Sequence, residues 1–75
     1  ENVEIYPNPA KDVLNINSAF AIKEVEIYDA LNRLIEKRKA NGKNIQLNIA
    51  NYKAGTYLVK INTAKGEVKK KLIVE

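Results

Sequence analysis

The chain predicts an all-β fold, a small antiparallel sandwich of about seven strands, on three observations. Apolar and polar residues alternate with a period of two, and β-branched residues are plentiful. Clusters of Asn, Gly, Pro and Asp break the alternation roughly every 8–12 residues. Nowhere is the i, i+3, i+4, i+7 spacing of an amphipathic helix sustained. A closed barrel of about five or six strands is the structural rival.

The elements follow in order. Val3 to Tyr6 reads as a short strand stopped by Pro7-Asn8-Pro9, since neither proline can donate to a ladder. Asp12 to Ile16 is the second strand, with Leu14 and Ile16 on one face and Val13 on the other. Ile22 to Tyr28 is the third, with Val25 and Ile27 inward and Glu24 and Glu26 outward. Asp29-Ala30-Leu31-Asn32 reads as a tight hairpin turn, Asp29 bonding the turn backbone and Asn32 suited to a left-handed conformation. Arg33 to Lys39 returns as the fourth strand, and Asn41-Gly42 is predicted to turn again. Asn44 to Ile49 alternates cleanly, with Ile45, Leu47 and Ile49 on one face. Gly55 closes a loop before Thr56 to Asn62. Ala64-Lys65-Gly66 then turns into the last strand, Glu67 to Val74. The predicted core is Leu14, Ile16, Val25, Ile27, Leu34, Ile45, Leu47, Tyr57, Val59, Ile61, Val68, Leu72 and Val74.

Composition narrows the chemistry. The chain has 75 residues, 45% hydrophobic and 29% charged, with no Cys, His, Met or Trp. A domain this small buries only about 60% of its unfolded surface, which leaves little room for a walled cleft. Without Cys or His, structural zinc, iron–sulfur and haem ligation fall away, as do thiol nucleophiles and the imidazole base. No apolar run approaches the ~18 residues of a membrane-spanning helix, and no charged-then-apolar leader opens the chain. Glu1 stands where an initiator Met would be, so the chain is read as a segment of a longer one.

Tests for a catalytic site come back weak. Glu24 and Glu26 project from one face of a strand with Cα atoms about 6–7 Å apart, a spacing open to a carboxylate pair. Such a pair needs one acid in a walled cleft, and a solvated outer face is the simpler reading. Ser18 is the only serine and has no histidine to serve it. Gly42, Gly55 and Gly66 are too scattered to cradle a phosphate. Asp12 and Asp29 lack the spaced carboxylates of a calcium loop. No catalytic, metal or cofactor-binding residue is assigned.

The net charge is +4. Lys65, Lys69, Lys70 and Lys71 cluster near the end of the chain, but on a strand Lys70 faces away from Lys69 and Lys71, so they form no single stripe. Lysines on an edge strand also discourage edge-to-edge pairing. Only Tyr6, Phe20, Tyr28, Tyr52 and Tyr57 could stack on bases, and no nucleic-acid motif surrounds them. The segment Pro7-Asn8-Pro9-Ala10 is stiff, because two φ angles are fixed and the residue before each proline is held extended. It serves equally as a sharp exit from an edge strand and as a rigid handle for a receptor.

The residues match a known pattern. Tyr6-Pro7-Asn8-Pro9-Ala10-Lys11-Asp12-Val13-Leu14-Asn15-Ile16 closely resembles the opening of the C-terminal sorting domain of type IX secretion cargo. Val25-Glu26-Ile27-Tyr28-Asp29-Ala30-Leu31-Asn32-Arg33-Leu34-Ile35 resembles that family's second block. Gly55-Thr56-Tyr57-Leu58-Val59-Lys60-Ile61, then Gly66 and Lys70-Lys71-Leu72-Ile73-Val74, resembles its closing blocks. The family usually carries glycine where this chain has Asn32, and Ile49 to Ala54 follows its loop only loosely.

The resemblance implies an Ig-like β-sandwich of about seven strands, a non-catalytic domain over residues 1–75 excised from a larger cargo protein of a Bacteroidetes-type bacterium. It implies transit through the periplasm, recognition by the outer-membrane type IX secretion machinery, and removal by a surface signal peptidase. The cargo is then released or attached to lipopolysaccharide. Cofactors, nucleic acid and membrane insertion have no part, and an edge-strand homodimer is the remaining partner considered. Recognition is placed on the final strand, Lys70, Lys71, Leu72, Ile73 and Val74, open to strand addition or charge pairing. The corner Pro7, Asn8, Pro9 and Ala10 comes second. Asp29, Asn32, Gly55 and Gly66 are expected to be structural turn positions. The rival from another class is an accessory spacer or carbohydrate-binding module, for which the absence of Trp leaves no planar aromatic row.

Overall fold

The computed structural model describes residues 2–75. Its elements are β1 (Val3–Tyr6), β2 (Val13–Tyr28), β3 (Leu34–Asn48), β4 (Gly55–Thr63) and β5 (Gly66–Val74), with no helix among the described residues. All the strand pairings are antiparallel. The order is β1-β2-β4-β5, with β3 on β2 as well. β1 takes the first half of β2 (Ile5 opposite Ile16) and β4 takes the second (Ile27 opposite Val59).

The all-β, antiparallel expectation holds, but the seven-stranded sandwich gives way to one curled sheet of five strands. The predicted second and third strands are halves of β2, and the predicted fourth and fifth are halves of β3. Asn41-Gly42 therefore does not turn. A reversal there would have laid residues 44–49 on 33–39; instead both halves of β3 pair with β2, Asn17 facing Asn44 and Val25 facing Arg38. Gly42 continues the strand at φ 157° opposite Ile22. The irregularity that resembled a turn is a bulge: four residues of β2, 18–21, stand opposite Lys43 alone. Bulges add twist and bend, and here they mark where the sheet curls.

The inside of the curl is the core. Val3, Ala10, Leu14, Ile16, Ile22, Val25, Ile27, Leu47, Ile49, Tyr57, Val59, Ile61, Leu72 and Val74 are buried. Val3, Ala10, Ile22 and Ile49 were not in the predicted core; Ile45 and Val68 are only half-buried against it. Leu34 is a plain correction, at 48% exposed. The ladder runs from Ile27 opposite Glu36 to Tyr28 opposite Leu34, so Ile35 is the extra residue of a bulge and Leu34 falls beside Tyr28 on the outer face.

The β2–β3 turn is built by Asp29. Its Oδ1 accepts the Leu31 and Arg33 N–H groups, each at 2.9 Å, and its Oδ2 accepts the Arg33 Nε–H at 2.8 Å. Asn32 adopts φ 66°, the left-handed conformation that Asn tolerates better than most non-glycine residues. The Arg33 N–H, helped by the Arg33 side chain and the Leu31 N–H, holds the Asp29 carboxyl below its ordinary range against a burial effect that raises it. A folded pKa below the unfolded value gives stability that is present above the unfolded value and lost as pH falls through the folded one. Asp29→Asn should therefore differ most from the parent in melting temperature near neutral pH. The gap should narrow as pH falls through and below the ordinary carboxylate range, where the parent's carboxylate takes up its proton. A gap independent of pH would contradict this account of the turn.

Candidate docking surface

The two segments singled out for recognition meet. β1 ends at Tyr6, and the chain passes through Pro7 and Pro9, both preceded by cis peptide bonds, to lie against the end of β5. The Asn8 side chain acts as a piece of strand: its Nδ2 donates to the Lys71 carbonyl at 2.9 Å, and its Oδ1 accepts the Ile73 N–H at 3.0 Å. The Ala10 N–H then donates to the Ile73 carbonyl, and the Glu75 N–H to the Ala10 carbonyl, each at 2.8 Å. Ala10 and Val74 form a parallel bridge. Ala10 is 1% exposed, so a larger residue would have to displace core.

This clasp redefines the surface. Leu72, Val74 and Ala10 point into the core and present no side chain to a partner. Pro7, Asn8, Pro9, Lys71 and Ile73 are exposed, and Lys70 is half-buried. The free edge of β5 from Lys71 onward, expected to be open to strand addition, is already occupied by Asn8 and Ala10. Beside it the outer edges of β1 and β5 flank an open groove of ≈ 380 Å³ lined by Val3, Glu4, Ile5, Tyr6, Asn8, Lys70 and Lys71.

The remaining candidates disperse. Glu24 and Glu26 lie 3.8 and 4.0 Å from the Lys37 ammonium, and Glu26 is 3.4 Å from Lys60. Lys60 also pairs with Glu67 at 3.6 Å, and Glu67 with Lys69 at 3.9 Å. The carboxylates are thus rungs of an alternating charge ladder across the outer face, from β3 to β5. Glu67 first, then Glu26, raise the Lys60 pKa above its usual value. The Ser18 Oγ accepts the Phe20 N–H at 3.0 Å, a turn-like role inside β2. The Lys65 ammonium sits 5.7 Å from the Phe20 ring centroid. Lys65 and Lys69 are therefore engaged separately, one on the Phe20 ring and the other on Glu67.

Tyr52 and Tyr57 pack against each other, with ring centroids 5.4 Å apart. The Tyr57 hydroxyl donates to the Lys53 carbonyl and the Tyr52 hydroxyl to Glu36. Burial, reinforced by Glu36, pushes the Tyr52 phenol well above its ordinary range. The pair braces the loop before β4 and offers no exposed sugar platform. Gly66 at φ 128° closes the β4–β5 hairpin, where the Thr63 hydroxyl donates to the Gly66 carbonyl at 2.9 Å. Gly55, at φ 153°, opens β4 opposite Val74.

The clasp was not visible in the sequence, where Asn8 and Ile73 are 65 residues apart. The one available signal was that both segments belong to recognisable blocks. Comparison with known protein families matches residues 4–75 to the secretion system C-terminal sorting domain. The chain belongs to that family. No curated protein matches it significantly. The match covers most of β1, the proline corner, the Asp29 turn and the whole of β5, so the clasp of this type IX sorting domain lies within the matched region. The family is one of sorting signals.

Proposed function

We propose that the domain is the C-terminal address of a secreted protein. It directs the cargo fused ahead of it from the periplasm through the outer-membrane type IX machinery, and a surface peptidase then removes it. The family match over residues 4–75 carries this reading. The geometry supports it by gathering the proline corner and the terminal strand into one rigid, partly cationic surface that loses little ordering entropy on docking. The recognition residues on this reading are Pro7, Asn8, Pro9, Lys71 and Ile73, with Lys70 at the groove.

The test is a periplasmic reporter fused ahead of the domain in a type IX-competent host. The reporter should reach the medium or cell surface only when the domain is present. Deleting residues 70–75 would remove Leu72 and Val74 from the core, so the informative variant is Lys71→Glu/Ile73→Ser, which changes two exposed side chains. Export should fall by roughly tenfold, the scale of losing one good interface contact. Undiminished export by this variant would remove these residues from the recognition surface.

A further inference from the structure

The outer face of an antiparallel sheet with one buried side is ordinarily polar, and most of this one is, through the Lys37-Glu26-Lys60-Glu67-Lys69 ladder. The next row toward the Asp29 turn breaks the rule. Tyr28 stands opposite Leu34 on one side and Leu58 on the other, and Leu58 stands opposite Lys71. Residues directly opposite share a face, so Leu34, Tyr28, Leu58 and Lys71 form one row across β3, β2, β4 and β5. At strand spacing it is about 14 Å long. Ile73 extends it two residues along β5. Leu34 is 48% and Ile73 41% exposed, although both are large aliphatic residues. Against the Leu58 and Lys71 end lies an open cleft of ≈ 400 Å³, lined by Ala30, Thr56 and Tyr57 as well.

The charges around this strip are unequal. The Asp29 carboxylate at its rim is consumed by Arg33 and the turn backbone. The Lys71 ammonium, at the far end, has no ion-pair partner among the described residues. The chain as a whole carries +4, which disfavours a second copy as occupant.

We propose that this strip carries the docking surface of the sorting domain on from Lys71 and Ile73 across the outer face to Leu34, and that its occupant is an acidic–apolar segment of a protein of the secretion machinery. An apolar side chain of that segment would enter the cleft beside Leu58, and a carboxylate would meet Lys71. This deepens the secretion reading and rests on it: the partner would grip the domain across four strands as well as at the clasp.

Two variants of the reporter fusion test it. Leu34→Thr/Leu58→Thr keeps β-forming residues on the outer face, so the purified domain should retain its circular dichroism spectrum and cooperative melting. Exported reporter should nevertheless drop by about tenfold, with the fusion accumulating in the periplasm. Lys71→Glu should lower export more than Lys71→Gln, because it sets like charges against each other. Full export by the folded double variant overturns the docking strip. Equal export by Lys71→Glu and Lys71→Gln overturns the acidic occupant. A parent domain that sediments as a dimer, with Leu34→Thr/Leu58→Thr monomeric, assigns the strip to a second copy and overturns the proposal. If the parent fusion itself fails to export, the secretion reading falls and the strip's partner falls with it, an outcome distinct from failure of the variants alone.

Discussion

Ile16→Ala should leave little folded domain at room temperature. Ile16 is fully buried in β2, and its neighbours across the ladder are Ile5 of β1 and Ile45 of β3. Truncating such a side chain costs about 2–5 kcal/mol, through lost transfer energy and the cavity left behind. A single core of this size rarely supplies more than about 3–5 kcal/mol in total. The two magnitudes overlap, so the expected outcome is loss of the folded baseline, not a modest shift. Urea titration followed by circular dichroism measures it, with Ile45→Ala, at a half-buried position, as the milder comparison. A cost below about 1 kcal/mol would mean that the curl collapses onto the vacated space.

Asn8→Ala should be the most damaging substitution at any exposed side chain. It removes both hydrogen bonds to β5, each worth a net ~0.5–1.5 kcal/mol, and leaves the Ile73 N–H and Lys71 carbonyl to water. The sharper readout is local. Hydrogen exchange at the Ile73 amide should accelerate strongly, followed by the amides of Ala10 and Glu75, whose bonds complete the clasp. The Leu72 amide, on the residue opposite Tyr57, should change far less. Asn8→Asp should fall between, since a carboxylate still accepts from Ile73 but cannot donate to Lys71. Uniform acceleration across β5 would show that the strand opens as a whole and is not held by Asn8.

Local structure was legible wherever a single strand could announce itself. Leu14 and Ile16, Val25 and Ile27, and Val59 and Ile61 alternate into the core as the period of two predicts, and Asp29 with Asn32 carries its own turn chemistry. What the pattern could not show was which strand each segment pairs with. Asn41-Gly42 has the composition of a hairpin turn, yet the partner of both its flanks is the same long strand, and that partnership outweighs local preference. Leu34 fell to the opposite face because one extra residue, Ile35, stands in the ladder; a bulge leaves no mark in an alternating sequence. The docking residues divided in the same way. Lys71 and Ile73 could be assigned to one face by counting, whereas the capture of their strand by Asn8 depends on contacts that local sequence does not encode.

Those contacts have a consequence in time. The bonds from Asn8 to Lys71 and Ile73 close loops spanning 63 and 65 positions, among the most remote pairings in the fold. Such pairings bear the largest loop-closure entropy and form only once the intervening strands have brought their ends together. The surface shared by Pro7, Pro9, Lys71 and Ile73 thus has no existence in a nascent, truncated or half-unfolded chain. A receptor that touches both segments at once works as a coincidence detector: it registers that the sheet between them is complete.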